Sequence, residues 1–473
     1  MSRRMLLARL FPPIRWWHRV DRGSLPRDLL AGLVGALVVL PQGIAFATLA
    51  GLPAQYGLYA AMVPTAVAAL FGSSLHTVSG PTNAISIMTF AALAPLAAPG
   101  SPEYVKLAFT LAFLMGVFML LLGVLRLGTL VNFISQPVIV GFMAGAGLLI
   151  VASQLTALFG LPGAPGGGFL GALGHLLASL PDANPWALGV AAVTLAAGLA
   201  SRRWRPRWPY IVIAMVAGTA GALALEGLAG VAGTSAGLRY LDAIPRGLPP
   251  LSWPIHDLAS LSELSGLAVA LSIVALTQSV SIARAVALRS GQRIDGNQEF
   301  IGQGLSNIAA GFFSGFPTSA SVNRSGPNFE AGAATPLAAV FSALILVAIV
   351  ALFAPAVRWL PAPAIAAVLL LASLSLIDLS RIRQTLAASR SEGGVLLITT
   401  AATLVLRLDV AVLIGVAVSL VFYLNRTSRP IMRSQVPDVR DPARAFVPID
   451  AERPECPQLK MLTIEGSIYF GAV

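Results

Sequence analysis

The chain has 473 residues, 56% hydrophobic and 11% charged, with a single cysteine, Cys456, and a mean hydropathy of +0.80. Soluble domains carry about 25% charged residues, so this composition excludes a soluble globular protein, and one cysteine excludes a disulfide framework or thiolate metal cluster. The net charge of +11 does not mark a nucleic-acid partner, because the arginines fall between apolar runs, the positive-inside pattern of a multispanning protein in a lipid bilayer.

Met1–Arg27 is basic and Trp-bearing, with no short apolar core and cleavage site behind it, and reads as a cytoplasmic interfacial segment. Spans of roughly 20 apolar residues cross a bilayer. They are predicted at Asp28–Ala50, Ala54–Phe71, Pro81–Leu96, Tyr104–Leu125, Pro137–Phe159, Pro185–Ala200 and Tyr210–Leu228. A second set follows at Ser265–Ala287, Phe300–Gly315, Asn323–Gly332, Thr335–Phe353, Ala362–Ile377, Gly393–Leu406 and Val410–Leu424. Gly160–Leu180 is a Gly/Pro-rich loop with a short helix. The fold class is thus an all-α polytopic membrane protein of about fourteen spans.

Two sets of seven force the second repeat (265–424) to be inverted relative to the first (28–228). Charge agrees. With both termini inside, the cytoplasmic connections hold Arg126, Arg202 to Arg207, Arg284 to Arg293, Arg381 to Arg390 and Arg426 to Arg429. The exterior connection Ala229–Glu263 has only Arg239 and Arg246. From Thr427 the composition changes. Arg429–Pro457 reads as a charged linker and Lys460–Val473 as β-strand, so the chain is expected to stop inside a cytoplasmic domain spanning 427–473.

Two stretches depart from ordinary membrane helix. Gly315–Gly332 reads GFPTSASVNRSGPNFEAG, with one arginine deep in an apolar region. A charge there is costly and usually functional, and broken backbone survives at that depth only where it lines a cavity or is buried in protein. An extended run over Phe316–Val322 and a short helix from Asn323 are predicted. The N–H groups of that helix and Arg324 would make a positive pocket for an anion; the other reading of Arg324 is a structural charge paired with a carbonyl or acid. Leu75–Thr89 repeats the design: a polar extended run, Gly80-Pro81-Thr82, then an apolar helix. Paired interrupted segments in two halves point to a transporter's binding site.

Several of these stretches resemble the sulfate permease (SulP) family of anion transporters. They are Pro41–Ala61 (PQGIAFATLAGLPAQYGLYAA), with a Pro-Gln-Gly break, and Ser79–Ala84 (SGPTNA). Ile294–Glu299 (IDGNQE), Asn323-Arg324-Ser325 and Leu459–Val473 complete the set, the last being similar to the first strands of a STAS domain. The resemblance implies a core of spans one to four and eight to eleven, a gate of the rest, a homodimer in the bacterial inner membrane, and an anion held between half-helices three and ten.

Around that site, Ser321, Val322 and Asn323 would line the pocket or cap the tenth half-helix, and Thr82 and Asn83 have the same two readings at the third. Gln42 must be hydrogen-bonded if buried, to substrate or to unwound backbone. Phe46, one turn on, would be an apolar wall or ordinary packing; the resemblance favours the wall. Gln278 stands where many relatives carry an acid. An amide cannot titrate, so Na⁺ or proton coupling is disfavoured there, leaving Glu330 and Asp295 as titrating groups near the membrane edge. The expected substrate is sulfate, bicarbonate, chloride or a small dicarboxylate, moved by alternating access. The alternatives are a nucleobase–cation symporter of the same fold, or an anion channel. Gly233–Gly237 matches a nucleophile elbow but lies in the exterior connection, and the four histidines have no metal spacing, so neither an enzyme nor a cofactor is expected.

Overall fold

Asp21 starts the first long helix, α1 (Ser24–Leu49). Its Oδ1 accepts from the N–H of Ser24 at 2.7 Å and of Gly23 at 2.8 Å. These donors, Ser24 first, hold the Asp21 carboxyl below the usual carboxylate range. In this computed structural model, residues 12–465 are described, apart from 129–134, 162–167, 205–209, 232–234, 241–244, 246, 256–257, 375–376, 407, 428–430, 439–445, 450–457 and 459. Cys456, Arg205 to Arg207, Gly233 and the strand-like residues 466–473 therefore lie outside the described residues.

The sequence predicts a break at Pro41-Gln42-Gly43; α1 instead runs through Pro41. A proline removes one intrahelical bond. Unwinding would free several more backbone groups with no water to satisfy them, so continuing costs less. The glycine has a separate task. A Cβ on Gly57 would collide with the Gly43 carbonyl oxygen, so the two glycines let α1 meet α2 (Ala54–Ala60) backbone to backbone. The single span predicted over Ala54–Phe71 is divided into α2 and α3 (Val63–Phe71), with Pro64 in the new first turn.

Next come β1 (Ser79–Gly80), α4 (Asn83–Leu93), α5 (Pro102–Val124), α6 (Gln136–Leu158), α7 (Gly168–Ser179), α8 (Pro185–Trp204) and α9 (Tyr210–Val231). The second half holds α10 (Leu258–Ser290), α11 (Gly296–Phe312), β2 (Ser319–Ala320), α12 (Val322–Glu330) and α13 (Leu337–Phe353). It continues with α14 (Ala362–Leu374), α15 (Leu379–Ala388), α16 (Arg390–Val405) and α17 (Leu408–Thr427). Among the described residues six segments are long and apolar enough to cross a membrane, Ala54–Phe71 among them with α2 and α3 taken together, and Asn83–Leu93, Leu337–Leu352 and Ala362–Leu371 are shorter apolar helices.

The packing separates two groups. α1 to α5 pack with one another and with α10 to α13, above all α5 on α11, α1 on α13 and α3 on α11. In the second group α6 packs on α14 and α16, and α8 and α9 pack on each other and on α14. Asp28 ties the first group across its repeats: buried on α1, it accepts from the N–H of Ala334 (2.7 Å) and Thr335 (3.0 Å), just ahead of α13.

After α17 the predicted linker contains a strand, β3 (Ile431–Pro437), with β4 (Phe446–Pro448) and β5 (Met461–Glu465) antiparallel on either side. Ile431–Pro437 shows no apolar/polar alternation, which is why the sequence reads as linker there.

Candidate functional site

Two short helices meet head to head. β1 and β2 pair antiparallel, Ser79 opposite Ala320 and Gly80 opposite Ser319. α4 starts directly after Thr82 and α12 directly after Ser321, both N-caps extended and neither making a side-chain capping bond. With 11 and 9 residues these helices reach roughly 17 and 14 Å, about half the hydrocarbon thickness. Their first N–H groups have no acceptor one turn back within the helix, and both helix starts border one cavity.

The extended leads are held from behind by one face of α11. Asn307 treats Thr318 as a strand partner would: its Oδ1 accepts from Thr318 N–H at 2.8 Å and its Nδ2 donates to Thr318 O at 3.1 Å. One turn earlier Gln303 donates to Ser79 Oγ at 2.6 Å, and one turn before that Glu299 accepts from the N–H groups of Ser73 (2.7 Å) and Ser74 (2.6 Å). Ser306 donates to Pro64 O. The Asp-Gly-Asn-Gln-Glu run starts this helix: Asp295 caps it, Asn297 accepts from Gly128 N–H and Gln298 donates to Phe71 O. The two leads also bond each other, Ser321 N–H to Val78 O at 3.0 Å and Val78 N–H to Ser325 Oγ at 2.9 Å.

A cavity of about 380 Å³ opens in front of both helix starts. Phe46, Thr82, Asn83, Gln278, Ser321, Val322 and Asn323 all line it, so seven of the nine residues singled out in the sequence are together. Thr82 Oγ1 lies 3.1 Å from Ser319 Oγ, which donates to Gln278 Oε1 at 3.2 Å. Asn83 Oδ1 is buried without a hydrogen-bond partner among the described residues. The opposite wall is apolar, from Val138 to Met143 on α6, with Phe142 within it. The cavity extends to Arg289, Asp378 and Arg381. At that mouth Arg381 pairs with Asp378, and Arg289 with Glu330, each at 3.2 Å.

Arg324 and Gln42 are not on the lining. Arg324 is 3% exposed and lies behind the cavity floor; its Nη2 donates to Pro81 O at 2.7 Å, bracing the start of α4 from α12. It has no carboxylate partner among the described residues, and its Nε has no acceptor. Gly80, at φ 144°, makes room for the guanidinium: a Cβ there would collide with Nη1. Gln42 is 2% exposed with both amide atoms unpartnered. Asp295 and Glu330, the two titrating groups expected at the membrane edge, are a helix cap and an ion-pair partner.

Thr277 and Ser281 line the cavity beside Gln278, and the sequence reading missed them. Their signal is visible: three polar residues on one face of an apolar helix, at i, i+1 and i+4. Phe142 had no such signal, because an aromatic in an apolar span is ordinary. Gln303 and Asn307 could have been found as buried amides one turn apart.

A protein-family model described as the sulfate permease family matches residues 25–399. The chain belongs to the sulfate permease family. This is a family of membrane anion transporters, not of enzymes. A probable sulfate transporter of Mycobacterium tuberculosis is 38% identical over 422 residues, covering 89% of this chain and 74% of the relative. Human solute carrier family 26 member 6 is 30% identical, over 98% of this chain and 64% of its own length. Among solved structures, murine solute carrier 26 family member A9 superposes with a TM-score of 0.83 at 24% identity, covering 95% of this chain and 76% of that one. The transmembrane domain of a cyanobacterial bicarbonate transporter gives 0.72 at 24% identity, covering 85% of this chain and 98% of that domain. These structures share the fold of this helical membrane protein.

Proposed function

We propose that this protein is a secondary anion transporter whose substrate sits in the cavity between the starts of α4 and α12. One observation carries the reading. Two uncapped helix N-termini and the buried, uncompensated Arg324 converge on a cavity whose sole carboxylate among the described residues, Asp378, is ion-paired. Each helix start is equivalent to about half a positive charge. With Arg324 the field approaches that of two positive charges, held in surroundings that screen it far less than water does.

The division of labour follows from the geometry. Asn83, Ser321, Asn323 and the first N–H groups of both helices hold the anion directly. Gln278 supplies an amide from α10. Phe46, Val322 and the α6 wall exclude water, which strengthens each polar contact. Arg324 acts through its charge and by fixing α4 against α12, and Gln42 offers an unspent amide one turn from Phe46. A nucleobase symporter would need acids on α10 and α12 at this place; Gln278 and Asn323 stand there instead.

The two packing groups fit a core of spans one to four and eight to eleven and a gate of the rest, in two inverted seven-span repeats (28–228 and 265–424). The anion travels with the core, against the α6 wall of the gate. The cavity reaches Arg289 and Arg381, on connections that charge assigns to the cytoplasm, which describes an inward-open state with both termini cytoplasmic. The relatives' names indicate sulfate or bicarbonate as substrates. A homodimer in the bacterial inner membrane, a cytoplasmic domain begun by β3 to β5, and exchange or uniport without Na⁺ or proton coupling complete the reading.

Proteoliposomes tested with labelled sulfate, bicarbonate, fumarate and uracil, with and without Na⁺ or proton gradients, decide it. Saturable uptake of an anion, independent of the gradients, is expected. Uptake of uracil alone, or large single-channel anion currents, would replace this reading with one of its alternatives.

A further inference from the structure

A second cavity, of about 430 Å³, lies apart from the transport cavity, and no residue lines both. Its walls are the one-turn helix Pro13–Trp16 with the following turn, the Gly72–His76 lead into β1, and the α10–α11 connection. Arg15, Arg19 and Arg293 enter it from two of these segments. None has a carboxylate partner among the described residues. Asp295, the one acid on the wall, has Oδ1 engaged by the N–H groups of Asn297 and Gln298.

Two further wall residues are buried with polar atoms unspent. Trp16 is 5% exposed and its indole Nε1 has no acceptor; His76 is 7% exposed and its Nδ1 has no partner. Buried donors without partners are rare in folded proteins and call for an explanation. Three guanidinium groups and an orphaned indole N–H around one polar cavity ask for an acceptor-rich, multiply charged group. Guanidinium forks match phosphate oxygens two at a time. Beside the cavity Trp17 and Ile14 are 61% and 55% exposed, the placement of aromatic and apolar anchors at a membrane interface.

We propose that this cavity binds a phosphate-bearing anion, either a phospholipid headgroup or a free phosphate monoester, as a site separate from the transport cavity. Its occupant also touches the transport machinery at one remove: His76 O accepts from Asn328 Nδ2 of α12 at 3.0 Å. An occupied site therefore ties the N-terminal segment to the lead of one half-helix and the body of the other.

The test uses the purified full chain in detergent. Native mass spectrometry reads retention of phosphatidylglycerol against phosphatidylcholine, and calorimetry reads binding of glycerol 3-phosphate. Wild type is compared with R293Q, W16F, the triple variant R15Q/R19Q/R293Q, and R22Q, which changes an arginine of the same segment outside the lining. Expected are a loss of roughly tenfold in affinity for R293Q, a smaller loss for W16F, no binding by the triple variant, and an unchanged R22Q. Selective lipid retention without glycerol 3-phosphate binding identifies a headgroup; binding of both identifies a free-phosphate site as well. Binding of neither probe by wild type, or equal losses in R22Q and R293Q, would overturn the proposal. So would wild-type affinity in a triple variant with unchanged melting temperature. Should the triple variant not fold, R293Q and W16F decide in the same way.

Discussion

Arg324 stands out in the sequence because a lone arginine in so apolar a run is either the charge of an anion site or a structural charge paired with a carbonyl or acid. Its place was not legible. From sequence it belongs in the pocket, whereas the structure puts it behind the floor, bonded to Pro81 O, because its side chain crosses to the other half-helix. The same crossing explains Gly80, whose φ of 144° and missing Cβ leave space for the guanidinium. Gly80→Ala is therefore expected to push Arg324 aside and lower anion uptake at least about tenfold, from the loss of one charge-assisted bond. Uptake equal to wild type would show that Arg324 does not need its present position. Gln278 makes a second prediction. Gln278→Glu places a carboxylate in the proposed anion cavity, so uptake should fall at neutral pH, recover as the acid protonates, and become coupled to a proton gradient. A pH profile identical to wild type would separate Gln278 from the transported anion.

At the scale of elements, the half-helices could be read from proline, glycine and small polar residues placed where a continuous helix would be expected. The α11 scaffold was legible only in part: Gln303 and Asn307 stand out as amides one turn apart, but what they and Glu299 bind shows only once the leads are in place. Asn307 is the centre of that scaffold, since its amide replaces a strand partner for Thr318. Asn307→Ala strands both Thr318 backbone groups in a dry interior, at a cost of about 1–3 kcal/mol. The expected result is a lower melting temperature together with weakened uptake. An unchanged melting temperature would mean that the leads keep their shape without α11. The break expected at Pro41 failed for a reason that sequence does not display: in lipid, a helix that loses one bond is better off than one that unwinds.

For the whole molecule, span count and charge pattern gave the membrane class and a topology, and the family match supports the class. The separation into two packing groups was expected only from the family resemblance, because Gly- and Ala-rich surfaces look alike on both. The proposed inverted arrangement makes a labelling prediction. In a Cys456→Ser background, a cysteine at Glu103 should react with an impermeant thiol reagent added outside, and one at Leu288, which is 87% exposed, only after the membrane is opened. The reverse pattern would invert the topology. The most direct test of the central claim is sulfate and bicarbonate uptake by wild type and Arg324→Ala, reconstituted at matched amounts after confirming equal melting temperatures. The account predicts saturable uptake by wild type and a loss of about 10- to 100-fold in the variant. Uptake by a folded Arg324→Ala protein at the wild-type rate would contradict it.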